Sequence, residues 1–232
     1  MTRLAKILAP AGLMMAAAVA IPAHAQVEGK IATVDVPRAV IGTTAFQTAY
    51  AQVDTTYAQQ IDLRRVKATE RQALLAKYDK NGDKQVDDAE LAAMKKSPDL
   101  PKMEGLEKDI QGLTGQIDGG RVFATEQVLQ QFGAALEEVT KAQQIKIVID
   151  PGSVLFAPVE ADITQAVVTA LNAKVPAVGV VPPANWQPAQ EAVTIYQQIQ
   201  QRLITAQYLQ QQQAAQQQQQ VNPAEPTPPA GR

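Results

Sequence analysis

Two long proline-free segments of nearly equal length restrict most strongly what this chain can fold into. Residues 39–78 and 102–143 contain 40 and 42 residues, and each would make about 60 Å of helix. Apolar residues recur in both at steps of three and four, which places them on one helical face. The stripes are Phe46, Tyr50, Val53 and Tyr57 in the first segment, and Met103, Leu106, Ile110, Leu113 and Ile117 in the second. The pattern predicts an antiparallel helical hairpin packed as a coiled coil, with an ordinary helical bundle as the alternative.

Short β-branched runs flank this hairpin on both sides. Residues 30–36 form a run that Pro37 closes, and residues 145–150 form a second run before Pro151 and Gly152. Both predict strands, and they can pair once the hairpin folds back. Residues 153–157 are a candidate for a short third strand.

An amphipathic helix is predicted over residues 162–174, with Asp162 as its N-cap. The fold class is therefore mostly α with a small β body: the body comprises residues 26–38 and 144–175, and the arm comprises residues 39–143. A body of two or three strands leaves apolar faces and strand edges uncovered. We therefore expect several copies of the chain to associate through this body.

The chain beyond the body changes in composition. Residues 176–190 are rich in proline and predict a linker, and residues 191–213 predict an additional helix. Residues 214–232, rich in glutamine and then in proline, have the composition of a disordered tail.

The N-terminus has the layout of a secretory signal. Arg3 and Lys6 precede an apolar run, and small residues around His24 precede Gln26. We expect cleavage after residue 25, because the run is short for an uncleaved membrane anchor and contains Pro10. Cleavage removes two basic and no acidic residues, which leaves 19 basic against 23 acidic residues and a net charge of −4.

The available side chains exclude most enzyme classes. The mature chain has no cysteine and no histidine, so it has no Ser-His-Asp triad, no Cys nucleophile, no disulfide and no thiolate or imidazole ligand for zinc. It also has no Gly-rich phosphate loop. We expect no enzyme activity, no nucleotide cofactor and no nucleic-acid partner.

The stretch DKNGDKQVDDAE, residues 79–90, matches the twelve-residue EF-hand calcium loop. The ligand positions 1, 3, 5, 7, 9 and 12 are filled by Asp79, Asn81, Asp83, Gln85 (through its carbonyl), Asp87 and Glu90. Lys84 stands at position 6, where glycine is usual, at a cost of about 1 kcal/mol. The pattern predicts a weak calcium site, with Kd about 10⁻⁴ to 10⁻³ M. An acidic, solvated hairpin tip is the alternative.

A family resemblance rests on GKIATVDVPRAV at the first strand, on the VID strand and on DITQAVVTALN in the following helix. With the hairpin between them, these motifs resemble the OmpH-like (Skp) periplasmic chaperones, here with an EF-hand-like insertion. The resemblance covers about residues 28–175. It implies a homotrimer whose arms surround an unfolded outer-membrane protein in the periplasm, without ATP.

Two points depart from what the resemblance implies. Known members are typically basic, whereas this mature chain is net negative, which disfavours contact with membrane lipid or lipopolysaccharide. The residues after Val175 also lie outside the family pattern.

The candidate client-binding residues are Phe46, Tyr50 and Tyr57, with coiled-coil core as the alternative role for all three. A calcium-dependent envelope scaffold without chaperone activity is the alternative function.

Overall fold

The computed structural model describes residues 29–83, 85 and 87–221. The chain is mostly helical with one small sheet, as predicted. The proposed signal sequence at residues 1–25 lies outside the described residues, and so do Lys84 and residues 222–232. Among the described helices, none combines the length and apolarity needed to cross a membrane.

The sheet joins the two ends of the hairpin. Strand β1 (Lys30–Thr33) pairs in parallel with β2 (Ile145–Ile149), with Ile31 opposite Ile147. The prediction that the two flanking strands meet is confirmed.

The predicted third strand at residues 153–157 is wrong. Residues 151–153 form a single 3-10 turn, and β1 instead receives a bond from the Ile163 N–H to the Thr33 carbonyl (2.9 Å). A second 3-10 turn covers residues 159–161.

The ascending side of the hairpin is three helices rather than one. Helix α1 (Val36–Gly42) starts at the Asp35 cap, α2 covers Thr44–Thr56, and α3 covers Ala58–Leu75. Thr43 separates the first two because its buried hydroxyl donates to the Val40 carbonyl (2.8 Å) and accepts from the Phe46 N–H (3.2 Å). Tyr57, at φ −106° and ψ 21°, separates α2 from α3. The apolar periodicity runs through both breaks, so it did not predict them.

The tip of the hairpin contains a short helix of its own. Helix α4 (Asp88–Lys95) begins with a capping box in which Asp87 and Glu90 exchange side-chain to backbone bonds. Helix α5 (Leu100–Gln143) then descends without a break to Gln144, which adopts the left-handed conformation (φ 58°) and turns the chain into β2.

Helix α6 (Thr164–Lys174) starts two residues later than predicted, with Ile163 at the cap position. Asp162 nevertheless binds the helix start, since its carboxylate accepts from the Thr164 N–H (2.9 Å). Asp162 also pairs with Arg38 of α1. The ion pair connects the start of α6 to α1.

The C-terminal part of the chain differs most from expectation. After an irregular stretch, helix α7 (Gln190–Val221) runs eight residues beyond the predicted end at residue 213. Residues 214–221 are therefore helical and not part of a disordered tail. Helix α7 packs on α5 and α1.

Buried apolar side chains form clusters along the hairpin. The largest lies at the body and includes Val40, Phe46, Val128, Leu171 and Ile199. A second surrounds Tyr57 and Ile117, and a third at the tip contains Leu74, Met94, Met103 and Leu106.

Candidate functional site

The three predicted client-binding residues are packed against the chain itself. Phe46 is 3% exposed and Tyr57 is 9% exposed, and the partly buried Tyr50 stacks near Phe46 with ring centroids 5.5 Å apart. The structure therefore places them in the core, which was the alternative role. The reason is the additional C-terminal segment, which covers the part of the arm where they lie.

The irregular stretch after α6 lies along the base of the arm. The Gln127 side-chain amide makes two bonds to Gly179, one to its carbonyl (2.9 Å) and one from its N–H (3.0 Å). The Tyr57 hydroxyl donates to the Val180 carbonyl (3.0 Å). Trp186 donates to the Glu126 carboxylate (2.8 Å) and packs edge-on against Phe123. We call residues 176–203 the strap.

The helical part of the strap is held by a polar cluster centred on Arg121. Its guanidinium lies 4.8 Å from the Tyr50 ring centroid and pairs with Asp54 and Asp118. The Tyr196 hydroxyl donates to Asp118 (2.7 Å). Burial, reinforced by the Asp118 carboxylate, raises the pKa of the Tyr196 phenol. This cluster joins α2, α5 and α7.

Two further bonds extend the attachment towards the body. The Gln200 amide donates to the Tyr50 hydroxyl (2.9 Å), and the Arg202 guanidinium donates to the Asp35 carboxylate (2.8 Å). Ala192 and Ile199 on the same helix are 1% and 0% exposed. The pattern of residues 191–213 predicted an additional helix, but it carried no signal for the surface that this helix would cover.

Exposed apolar side chains lie on the arm between the strap and the tip. Leu63 and Val66, three residues apart on α3, are 48% and 53% exposed. Beyond them the two sides of the arm are joined by the ion pairs Lys67–Asp109 and Arg71–Glu107. This part of the arm combines accessible apolar surface with charged flanks, and sequence reasoning did not single it out.

The body carries a second exposed apolar surface. Ile31 and Ile147, side by side in the sheet, are 55% and 38% exposed. Three more large apolar side chains in the segment after β2 are almost fully exposed: Leu155, Phe156 and Val159. Within the described residues, β2 pairs only with β1. An apolar face next to an open strand edge is typical of an association surface.

The tip loop closes through its own hydrogen bonds. The side chains of Asp79, Asn81 and Asp83 accept from the N–H groups of Gly82, Asp83 and Gln85 at 2.7 to 2.9 Å. Gly82 has the positive φ of 76° that this turn needs.

The remaining predicted ligands lie at the start of α4. Glu90 is 4% exposed, and its two carboxylate oxygens accept from the N–H groups of Lys80 (2.8 Å) and Asp87 (3.2 Å). Asp87 in turn caps the Glu90 N–H (2.8 Å). No group of three or more acidic, histidine or cysteine side chains able to hold a metal ion occurs within the described residues. In this arrangement the Glu90 carboxylate accepts hydrogen bonds from the backbone of the loop. A calcium ion bound by Glu90 would have to replace those two bonds.

Comparison with known proteins gives a family match. A family model described as outer membrane protein (OmpH-like) matches residues 30–171. A search of solved structures found the crystal structure of a candidate outer membrane chaperone (OmpH-like) from Caulobacter crescentus CB15. It is 20% identical, with a TM-score of 0.39 over 67% of this chain and 92% of that one. A search of curated proteins found no match. The family match spans both strands, the whole hairpin and most of α6, and the chain therefore belongs to the OmpH-like outer membrane protein family.

Proposed function

We propose that this protein is an ATP-independent periplasmic holdase that binds unfolded outer-membrane proteins between the arms of a homotrimer. The observation that carries the proposal is the family match over residues 30–171, which includes the parts such a chaperone needs. These parts are a long antiparallel helical arm and a small body with an open apolar face. A holdase needs accessible apolar surface that excludes water around a client, and it needs no reacting side chain.

The association of copies is supported by the body surface. Burying the exposed side chains around Ile31, Ile147 and Phe156 would remove apolar area from water at about 25 cal/mol per Å². In a closed ring of three copies, each such face is covered by a neighbouring copy. Because the sheet has two strands within the described residues, this contact would also stabilise the body itself.

The arm surface at Leu63 and Val66 is the client-binding surface in this proposal. It replaces the three buried aromatic residues, since a client can reach it without displacing the strap. Charged residues beside it, among them Arg64 and Lys67, would keep the arm soluble when no client is bound.

The test is suppression of aggregation. A barrel protein unfolded in urea is diluted into buffer with one trimer of residues 26–232 per client, and light scattering is followed with calcium and with chelator. We expect scattering to be suppressed in both conditions. The variants Leu63→Asp and Val66→Asp should suppress it less, whereas Gln72→Asp, at an exposed polar position of the same helix, adds the same charge and serves as the control.

Two results would count against the proposal. Full suppression by the Leu63→Asp and Val66→Asp double variant would show that the client binds elsewhere. Absence of suppression by the wild-type chain in both conditions would favour the calcium-dependent scaffold instead.

We also propose that the tip loop binds calcium weakly, through the six positions that the sequence pattern assigns. The support is that Asp79, Asn81 and Asp83 already form the successive turns of such a loop. Glu90, at the twelfth position, is held against the loop because its carboxylate accepts from the backbone N–H groups of Lys80 and Asp87. The role proposed for the ion is to order the arm tip.

Isothermal titration tests this second proposal. Calcium should release or absorb heat with Kd of about 10⁻⁴ to 10⁻³ M, and Glu90→Gln should lose most of it. Asp88→Asn, at a loop position that is not a ligand, is the control. Absence of heat at millimolar calcium, or equal heat in Glu90→Gln, would leave the solvated acidic tip as the explanation.

A further inference from the structure

Helix α7 changes character after the strap ends. Leu203 is the last of its residues that packs against the core, and each residue from 204 to 217 is exposed. Among these are three large apolar side chains, Ile204 at 64%, Tyr208 at 61% and Leu209 at 50% exposure. Residues 204–221, called the free segment here, amount to about 27 Å of helix. The family match ends before this helix begins.

The sequence of the free segment contains no charged residue. Exposed helical surface in a soluble protein normally has charged side chains, and an unpacked helix of this length is marginal in water. The segment therefore needs a partner whose surface is also uncharged, since a charged partner would lose hydration and gain no ion pair. Another copy of the same segment meets this condition, because no like charges are brought together.

The position of the free segment favours the same occupant. Arg202, just before it, is bonded to Asp35, which lies two residues after the end of β1. The exposed Ile31 belongs to that strand, and the proposed contact between copies is formed by its face. Copies that meet through the body would therefore each start their free segment close to the shared contact, at a high effective concentration.

We propose that residues 204–217 of the free segment pack against the same residues of the other copies and form a helical bundle that holds the assembly together outside the body. Ile204 and Tyr208 provide its apolar layers, and glutamine side chains, which both donate and accept hydrogen bonds, form the layers beyond. This inference rests on the proposed homotrimer. It assigns a partner to the part of the chain that the family does not include.

Disulfide scanning tests the inference, because the chain has no cysteine of its own. Gln211→Cys lies three residues after Tyr208 and should face the bundle, whereas Gln213→Cys lies on the other side of the helix. A disulfide forms only when Cα atoms come within about 4.4 to 6.8 Å. Under mild oxidation of the full mature chain, we expect Gln211→Cys to form covalent dimers about tenfold faster than Gln213→Cys, because the bundle holds only one face at that distance.

A body variant and a mass measurement separate the two proposals. Ile147→Asp should remove both the trimer, measured by analytical ultracentrifugation, and the fast crosslink. A trimeric wild type in which Gln211→Cys and Gln213→Cys crosslink equally slowly would overturn the bundle and leave the proposed function standing. Equally slow crosslinking together with an immobile spin label on Gln211→Cys would place the segment on a different surface. That result also overturns the bundle. A monomeric wild type would overturn both.

Discussion

Tyr196 is the residue whose chemistry depends most on the attachment of the strap. Its phenol is buried and donates to Asp118, and its pKa is raised by burial first and by Asp118 second. An unfolded tyrosine ionises near pH 10. Because the folded pKa is higher, the stability from the neutral phenol is complete below about pH 10 and is lost as the pH rises above it.

This linkage gives a prediction for alkaline pH. The free energy of unfolding of the wild type should fall more steeply between about pH 9.5 and 11 than that of Tyr196→Phe, which lacks the ionisable group. At neutral pH the variant should be less stable by about 1 kcal/mol, the net value of a hydrogen bond. Urea denaturation across this pH range measures both effects, and parallel pH profiles would show that the phenol is not linked to folding.

At the scale of elements, α5 approaches the strap closely at one glycine. A methyl group at Gly120 would lie 2.7 Å from the Val180 carbonyl oxygen and 2.8 Å from a ring carbon of Tyr57. At Gly112, no described atom outside the neighbouring backbone of the same helix lies within 4 Å of that position. A side chain would therefore clash at position 120, whereas position 112 has room for one.

The matched pair Gly120→Ala and Gly112→Ala tests this difference. Gly120→Ala should lower the free energy of unfolding by about 1–3 kcal/mol, because the carbonyl and the ring must both move. Gly112→Ala should raise it by up to about 1 kcal/mol through helix propensity. Chemical denaturation decides the point, and equal effects of the two substitutions would mean that the strap does not pack on Gly120 in solution.

The same elements show how far the sequence was informative. The steps of three and four identified the long α5, the helical pattern of residues 191–213 identified most of α7, and the β-branched runs identified both strands, because these signals are local. The breaks at Thr43 and Tyr57 depend on one hydroxyl cap and one backbone conformation within an unbroken apolar stripe. The burial of Phe46 and Tyr57 depends on a segment more than a hundred residues away, and periodicity does not encode which surfaces meet.

For the whole molecule, the exposed sheet face should determine the assembly. Ile147→Asp places a carboxylate in the proposed contact, where its desolvation opposes association, so the variant should sediment with the mass of one chain instead of three. Val66→Asp, at an exposed apolar position on the arm, should leave the mass unchanged. A trimeric Ile147→Asp variant would mean that the copies meet through a different surface.

The pairing of β1 with β2 also dictates an order of events as the chain folds. The two strands flank the arm in the sequence but are neighbours in space, with Ile31 next to Ile147, so their ladder forms only after the helices between them have brought the two strands together. Contacts of such large sequence separation form slowly, whereas neighbouring helical turns form fast. We therefore expect β1 to stay unpaired until α5 has formed, and copies that join through the sheet to do so only after each chain has folded.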